Sequence, residues 1–216
     1  LLTVIPQAFA LAISGRPGPV LIDVPRDVQT QVVEFEKWPS SEEIKKTKKL
    51  YLAQSFLTDK NEIPQILDSM AEKLLQSKKC VLYLGGGCNN QKASTTLKDF
   101  VEKYNCAVVS SLMGLGVIPS SNPNNFGMIG MHGLYAANLA IHDADLVLAC
   151  GVRFDDRATG LIKEFCPNAS ILHIDIDAAE INKILPASIS LVADVAQIIP
   201  SLIKSIESIK KNIKKT

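Results

Sequence analysis

The feature that most constrains the fold is a regular alternation of short, largely apolar segments with helical segments. The apolar segments are "CVLYL" (80–84), "AVVSS" (107–111), "DLVLAC" (145–150), "ILHIDI" (171–176) and "ISLVA" (189–193). Strands that are apolar at nearly every position are buried on both faces, which is typical of parallel sheets covered by helices. The alternation therefore predicts an α/β domain built on a Rossmann-like, doubly wound parallel sheet of five strands.

The helical segments between these strands show apolar residues on one face. Residues 61–76 repeat apolar side chains at helical spacing, and further helices are predicted around 94–104, 134–141 and 195–209. A long loop rich in Gly, Pro and Asn precedes the helix near 134. Helices thus separate the first three strands and another follows the fifth, which is typical of a parallel sheet.

The first sixty residues have a different character. In residues 1–30, Pro6 suits a first helical turn, "QAFALAIS" predicts a helix that Gly15 ends, and "VLIDV" (20–24) predicts a strand. One helix and one strand cannot bury themselves, so we expect this segment to be the carboxyl-terminal remnant of a first domain. Residues 31–60 are polar and charged and predict a linker, and 61–216 form the central domain. The absence of an initiator Met favours a piece of a longer protein.

Composition excludes several classes of function. A net charge of +1 offers no field for nucleic acid or an acidic membrane, and there is no apolar run long enough to span a bilayer and no signal peptide. The five cysteines lack C-x-x-C spacing and the three histidines form no ligand pattern. We expect reduced, packed thiols, a cytoplasmic location and no metal site.

Glycine, charge or an acceptor follows each predicted strand. In order these are Gly85–Gly87, "SLMGLG" (111–116), "GVRFDDR" (151–157), "DID" (175–177) and Asp194–Val195. Because open α/β sheets bind ligands beyond the carboxyl ends of their strands, this convergence predicts a nucleotide site. The sequence contains no Ser-His-Asp pattern, no paired Cys and His and no P-loop, so we expect a site that holds a nucleotide without performing chemistry.

Each feature alone leaves two interpretations open. The three glycines suit either a tight turn or close approach to a ligand. Asp175 and Asp194 could bind ribose or adenine, or cap the helices that follow. In "GMIGMHG" (127–133), His132 could be structural or a ligand contact. The charges of the "RFDDR" segment (153–157) could pair with one another, or the two arginines could bind phosphate while Asp155 and Asp156 orient them; we favour the second.

Several motifs together resemble the catalytic subunit of acetolactate synthase (acetohydroxyacid synthase). They are "SGRPGPVLIDVPRDVQT", "LGGG", "SLMGLG", "GMIGMHGLYAANLAIHDADLVLACGVRFDDRATG" and "FCPNASILHIDIDAAEINK", in order from about residue 4 to 195. The resemblance implies three domains, of which the first and third bind thiamine diphosphate at a subunit interface and the middle one holds FAD. The family's catalytic glutamate would precede residue 1, and its diphosphate- and Mg²⁺-binding motif would follow residue 216. The chain alone is therefore expected to be inactive.

The resemblance also implies individual FAD contacts. Ser111 stands where the family often has Thr, and Arg26 replaces a usual Lys. Asp156 and Arg157 match positions that contact herbicides in sensitive members. The matched cofactor residues are Arg16, Gly85, Gly86, Gly87, Ser111, Leu112, Met113, Gly130, Met131, His132, Gly133, Gly151, Arg153, Asp155, Arg157, Asp175, Ile176, Asp194 and Val195.

The family reaction joins a hydroxyethyl unit from decarboxylated pyruvate to a second 2-ketoacid, giving 2-acetolactate or 2-aceto-2-hydroxybutyrate for branched-chain amino-acid synthesis. It involves no net redox change, which implies a structural FAD. The implied partners are 2-ketoacid substrates, a homodimer or tetramer of catalytic subunits and a small regulatory subunit. Two alternatives stay open: the same domain of another thiamine-diphosphate enzyme such as glyoxylate carboligase, and a stand-alone nucleotide-binding module.

Overall fold

A computed structural model of the chain describes residues 3–34, 40–43, 46 and 58–213. The chain divides into two units, Leu1–Phe56 and Leu57–Thr216, which are described separately. Most of the predicted linker (31–60) lies outside the described residues.

The first unit contains two short helices. Helix α1 (Val4–Ala12) agrees with the prediction, whereas α2 (Arg26–Thr30) was not predicted. The predicted strand over 20–24 is wrong, because these residues pair with no other described segment. Leu21 is 92% exposed. A β-branched apolar sequence favours extended backbone, but only a hydrogen-bonded neighbour turns that backbone into a strand.

The second unit is a parallel sheet flanked by helices, which confirms the predicted fold class. Its strands are β1 (Cys80–Leu84), β2 (Ala107–Ser110), β3 (Asn125–Met128), β4 (Leu146–Cys150), β5 (Ser170–Asp175) and β6 (Ile189–Val192). Its helices are α3 (Ile63–Gln76), α4 (Gln91–Tyr104), α5 (Tyr135–His142), α6 (Asp156–Thr159) and α7 (Val195–Ile213). The strand order is β3-β2-β1-β4-β5-β6, the order of doubly wound dinucleotide-binding folds.

The sheet has six strands, one more than predicted. Strand β3 lies within the predicted long loop, and its sequence "NFGM" has no apolar run. It is an edge strand that pairs only with β2 and is incompletely buried, so burial does not demand apolar side chains at every position. The side-chain Nδ2 of Asn125 donates to the carbonyl of Ile118, 2.9 Å away, and helps to fix the start of the strand.

Two apolar cores cover the two faces of the sheet. Leu82, Leu148 and Leu172 face the core that includes residues of α3, α4 and α7. Val81 and Val147, their neighbours along the strands, face the core that includes α5 and the segment after β4. Burying a side chain of this size contributes about 1.5–3 kcal/mol, so both faces of each central strand must be apolar. This need for apolar side chains on both faces explains the apolar segments from which the sheet was predicted.

The described residues include no helix that is both long and apolar enough to cross a membrane. All five cysteines are free thiols. Burial raises the pKa of Cys88 to about 12, and raises that of Cys106 to about 12 as well. These thiols therefore act as small apolar packing groups.

Candidate functional site

The carboxyl ends of the six strands bring together every predicted contact residue except Arg16. Strand order reverses between β1 and β4, and the loops after these strands form the centre of the edge. The loops after β2 and β3 flank them on one side, and the ends of β5 and β6 lie on the other. Arg16 belongs to the first unit and follows α1.

Glycines allow the β1 and β4 loops to touch through their backbones. A β-carbon on Gly85 would lie 2.7 Å from the carbonyl carbon of Gly151, and one on Gly151 would lie 2.7 Å from the α-carbon of Gly87. Gly151 also has a φ of +58°, which favours glycine. The amides of Gly85 and Gly87 donate to the carbonyls of Cys150 and Gly151. Packing therefore accounts for Gly85 and Gly87, and their N–H groups are already used.

The loop after β2 presents two apolar side chains to solvent. The amide of Ser111 donates to the carbonyl of Leu84, 2.9 Å away, which ties the loop to the end of β1. Leu112 and Met113 follow in a single 3-10 turn and are 68% and 64% exposed. The β-carbon of Met113 lies beside Gly86. An exposed apolar pair against a glycine offers a surface on which a flat, apolar group can lie.

The loop after β3 is clamped by Asn138, a residue that sequence reasoning missed. The side chain of Asn138 accepts from the amide of Gly130 at 2.8 Å and donates to its carbonyl at 3.1 Å. The amide of Met131 then donates to the carbonyl of Arg157. The sequence signal that could have identified Asn138 is a side-chain amide in the largely apolar helix "YAANLAIH". His132 is exposed beside these residues.

The charges after β4 pair in two separate and loose contacts. Arg153 Nη2 lies 3.8 Å from Asp155 Oδ2, and Arg157 Nε lies 3.8 Å from Asp156 Oδ2. The arginine side chains are 56% and 75% exposed. Exposed pairs of this kind contribute roughly 0–1 kcal/mol, so both guanidinium groups can turn towards an anionic ligand at little cost.

Phe154, between these charges, is buried and has a left-handed backbone. Its φ is +52°, a conformation that is strained for a bulky residue. Its ring packs edge-on against Tyr83, with 5.7 Å between ring centroids, and against His173 at 5.2 Å. Burying this ring leaves Arg153 on the surface and Asp155 half-buried. A single Phe among four charges was the sequence signal for this anchor.

His173 lies directly beneath that turn and is completely buried. Burial lowers the pKa of His173, although the hydrogen bond with Val152 and the charge of Glu180 act in the opposite direction. The ring is therefore neutral near neutral pH, and Nε2 donates to the carbonyl of Val152 at 3.0 Å. Nδ1 has no hydrogen-bond partner among the described residues. Sequence reasoning assigned His173 no role.

The two strand-end aspartates both accept backbone N–H groups. Asp175 Oδ1 accepts from the amide of Asp177, and Asp194 Oδ1 accepts from the amide of Ala196 at the start of α7, each at 2.9 Å. The capping interpretation is therefore present in the structure at Asp194. It does not exclude a ligand, because a carboxylate has further lone pairs. Helix α4 is capped similarly by Asn90, which accepts from the amide of Ala93.

A cavity lies at the opposite edge of the sheet. It measures about 660 Å³, its lining includes the buried Phe100 and Ile206, and Lys78, Lys79 and Lys210 also line it. Helices α3, α4 and α5 also end there, and each carboxyl end carries roughly half a negative charge. With Asp143, these ends nearly balance the three lysines. The cavity thus has the size of a ligand site without a surplus of charge that would select a ligand.

The carboxyl edge suits an amphipathic nucleotide better than a compact anion. It offers two exposed guanidinium groups, the half-buried carboxylate of Asp194 and the buried carboxylate of Asp175. It also carries a set of exposed apolar side chains on the loops after β2, β3 and β4 and at the start of α5. The apolar set comprises Leu112, Met113, Leu115, Met131, Leu134, Tyr135, Leu161 and Ile162. Within the described part of the chain, no group of His, Cys, Asp and Glu side chains could hold a metal ion.

Sequence comparison relates this unit to known proteins. Residues 67–202 match the family described as "Thiamine pyrophosphate enzyme, central domain". The chain is 41% identical over 206 residues to an acetolactate synthase large subunit of Buchnera aphidicola subsp. Schizaphis graminum, covering 95% of this chain and 34% of that protein. It is 40% identical over 202 residues to the acetolactate synthase isozyme 3 large subunit of Escherichia coli K12, covering 93% and 34%. It is 41% identical over 213 residues to the chloroplastic acetolactate synthase 2 of Nicotiana tabacum, covering 98% and 30%. The chain spans about a third of the length of these relatives.

Proposed function

The chain belongs to the thiamine pyrophosphate enzymes, whose central domain it contains, and on that premise we propose that it is the FAD-binding central domain of an acetolactate synthase. The observation that carries the proposal is the turn after β4. There, two exposed and loosely paired arginines stand at the point where strand order reverses. Such a point is where doubly wound sheets bind nucleotides.

The chemical groups of FAD match those of this edge. Arg153 and Arg157 would hold the pyrophosphate, since a guanidinium binds phosphate oxygens in a forked geometry. Leu112, Met113 and Met131 would contact a ring system. Asp175, with Ile176, and Asp194, with Val195, would lie at the adenosine end, and Arg16 is a further proposed contact. A bound flavin supplies a two-electron redox group, which the proposed reaction does not use, so its role here is structural.

The parent enzyme would condense pyruvate with a second pyruvate or with 2-ketobutyrate, releasing CO₂. Thiamine diphosphate, Mg²⁺ and the catalytic glutamate are assigned to parts of the parent outside these 216 residues. In the same proposal, residues 1–30 belong to the preceding domain and 31–60 are a linker. The names of the relatives favour acetolactate synthase over glyoxylate carboligase, and the family match disfavours a stand-alone module.

The proposed partners and compartment rest on separate observations. The relatives named large subunits imply a smaller partner subunit for those proteins, and we propose a small regulatory subunit and a homodimer or tetramer here. Five free thiols support a reducing compartment, for which we propose the cytoplasm.

Flavin absorbance of the purified full-length parent tests the FAD site. Arg153→Ala should lower flavin affinity about tenfold or more, because a charge-assisted contact to phosphate is lost. Lys98→Ala, which removes an exposed cation from α4, serves as the matched control and should retain full flavin content. Unchanged flavin content in Arg153→Ala would contradict the assigned role.

The chain alone should bind FAD weakly or not at all and should form no acetolactate from pyruvate. The reason is that the edge is open: the apolar side chains on its loops stay exposed in this unit, so a flavin would be covered on one side only. Stoichiometric yellow flavin co-purifying with the 216-residue chain would contradict this expectation.

A further inference from the structure

The turn that carries Arg153 is supported from beneath by one buried side chain. His173 lies in β5, and its Nε2 reaches the carbonyl of Val152 at 3.0 Å, in the loop that follows β4. The same ring packs edge-on against Phe154, with 5.2 Å between centroids and 81° between ring planes. His173 thus holds the two residues on either side of the Arg153 α-carbon, one through a hydrogen bond and one through its ring.

The turn needs such support because its backbone is strained. Phe154 has a φ of +52°, which a residue with a large side chain adopts only when the surroundings enforce it. If the peptide carbonyl of Val152 were released, Phe154 could relax towards an ordinary conformation. That relaxation would move Arg153 and Asp155 away from the edge of the sheet.

The residue type at position 173 is itself informative. Nδ1 of His173 lacks a partner among the described residues, although the side chain is completely buried. A buried acceptor without a partner costs free energy, so an apolar side chain of similar size would pack here at lower cost. Packing alone therefore does not account for an imidazole, whereas the bond made by Nε2 does.

We propose that His173 is a positioning residue: its Nε2–H bond to the Val152 carbonyl and its contact with Phe154 hold the strained turn that directs Arg153 and Asp155 to the nucleotide edge. The charged groups near the ring are Asp175, whose Oδ2 lies 4.0 Å from Nε2, and Glu180. The cofactor part of this inference rests on the proposed function, whereas the structural part concerns the turn itself.

Three variants of the full-length parent separate positioning from packing. His173→Gln keeps a terminal N–H donor that can reach the Val152 carbonyl, and His173→Leu keeps the bulk without a donor. Met70→Ala removes a fully buried side chain from α3, in the core on the other face of the sheet, and provides a destabilised control. Should His173→Leu fail to fold, His173→Asn replaces it, because its shorter amide cannot reach the same carbonyl.

Two measurements are made on each variant: hydrogen exchange of the segment 151–158, and the FAD dissociation constant. In His173→Leu we expect exchange of this segment and the dissociation constant each to rise about tenfold, as the loss of one buried hydrogen bond allows. His173→Gln should stay within about threefold of the wild type for both. Met70→Ala should lose thermal stability while both local measurements stay within about twofold.

The inference is overturned if His173→Leu matches Met70→Ala in both measurements, or if His173→Gln is no better than His173→Leu. If the wild-type parent binds no FAD, the proposed cofactor is wrong. Hydrogen exchange of segment 151–158 then still decides whether His173 positions the turn.

Discussion

At the amino edge of the sheet, charges are nearly balanced around a cavity. At the carboxyl edge, two arginines are exposed beside loops that pack against each other through glycines. The amino edge has three lysines opposite three helix carboxyl ends and Asp143. Asp145 there accepts hydrogen bonds from the hydroxyl of Ser77 and from the amides of Lys78 and Lys79. At the carboxyl edge, Arg153 and Arg157 make only loose pairs at 3.8 Å.

The difference between the edges shows why the 660 Å³ cavity at the amino edge is the weaker candidate site. The charged groups at the amino edge already have structural partners, because the helix ends and the strand starts there need hydrogen bonds and opposite charges. The carboxyl edge closes through backbone contacts between glycines, and the guanidinium groups of Arg153 and Arg157 there stay exposed and only loosely paired. Exposed and loosely paired charges therefore favour the carboxyl edge as the candidate site more strongly than cavity volume favours the amino edge.

Disrupting the backbone contact between Gly85 and Gly151 should have the largest effect on stability. In Gly85→Ala the new β-carbon would lie 2.7 Å from the carbonyl carbon of Gly151, and neither backbone can move without disrupting β1 or β4. We expect a loss of about 3 kcal/mol or more in the free energy of unfolding, measured by urea titration. Gly116→Ala is the control, since its φ is +86° but its surroundings are open, and it should cost only about 1 kcal/mol. Equal losses would mean that the close contact is unimportant.

Removing the carboxylate of Asp145 at the amino edge should have an intermediate effect on stability. Asp145→Ala leaves the hydroxyl of Ser77 and the amides of Lys78 and Lys79 without their acceptor, so unfolding should become easier by about 2 kcal/mol. Asp143→Ala, which removes an exposed neighbour, should have little effect on thermal stability. Flavin content of the folded Asp145→Ala parent should be unchanged; a marked loss would show that the edges are not independent.

The two edges should differ in how pH changes the stability of the fold, because each contains one group with a shifted pKa. Because burial lowers the pKa of His173 below its usual 6.5, the unfolded chain binds more protons, and stability should decline as pH falls below about 6.5. Burial raises the pKa of Asp145, but its hydrogen bonds outweigh burial and hold the pKa below 3.8. Its contribution is therefore fully present above about pH 3.8 and is lost as pH falls through the lower folded value.

Unfolding curves across this range check both assignments. His173→Gln should remove the decline that begins near pH 6.5 while leaving the acid decline, and Asp145→Ala should do the reverse. A wild-type stability that stays flat between pH 6.5 and 4.5 would contradict a lowered pKa at His173.

The smallest effect on stability should come from the exposed arginines that we propose bind the nucleotide. Arg157→Ala removes an exposed side chain with one loose pair, so the free energy of unfolding should change by no more than about 0.5 kcal/mol. Flavin affinity of the parent should nevertheless fall, as for Arg153→Ala. A stability loss above about 1 kcal/mol would support the interpretation in which these charges pair as scaffold.

Periodicity predicted most of the sheet because central parallel strands are buried on both faces. Segment 80–84 could be assigned because nearly every side chain meets one of the two cores. Strand β3 could not, because an edge strand needs only one neighbour and "NFGM" carries no apolar run. The segment 20–24 failed in the opposite direction, since its apolar pattern finds no strand to pair with among the described residues.

The parallel α/β fold and the family could be inferred from the sequence, because local apolar patterning and motif order encode them. The same pattern located the strand ends that form the candidate site. Only contacts between distant segments show which glycines are required for packing and that the four charges form two loose pairs. The same is true of the hydrogen bonds that His173 and Asn138 make to the loops. These properties are distances between residues far apart in the chain, such as Gly85 and Gly151. Such distances are fixed only when the strands pair and their loops meet.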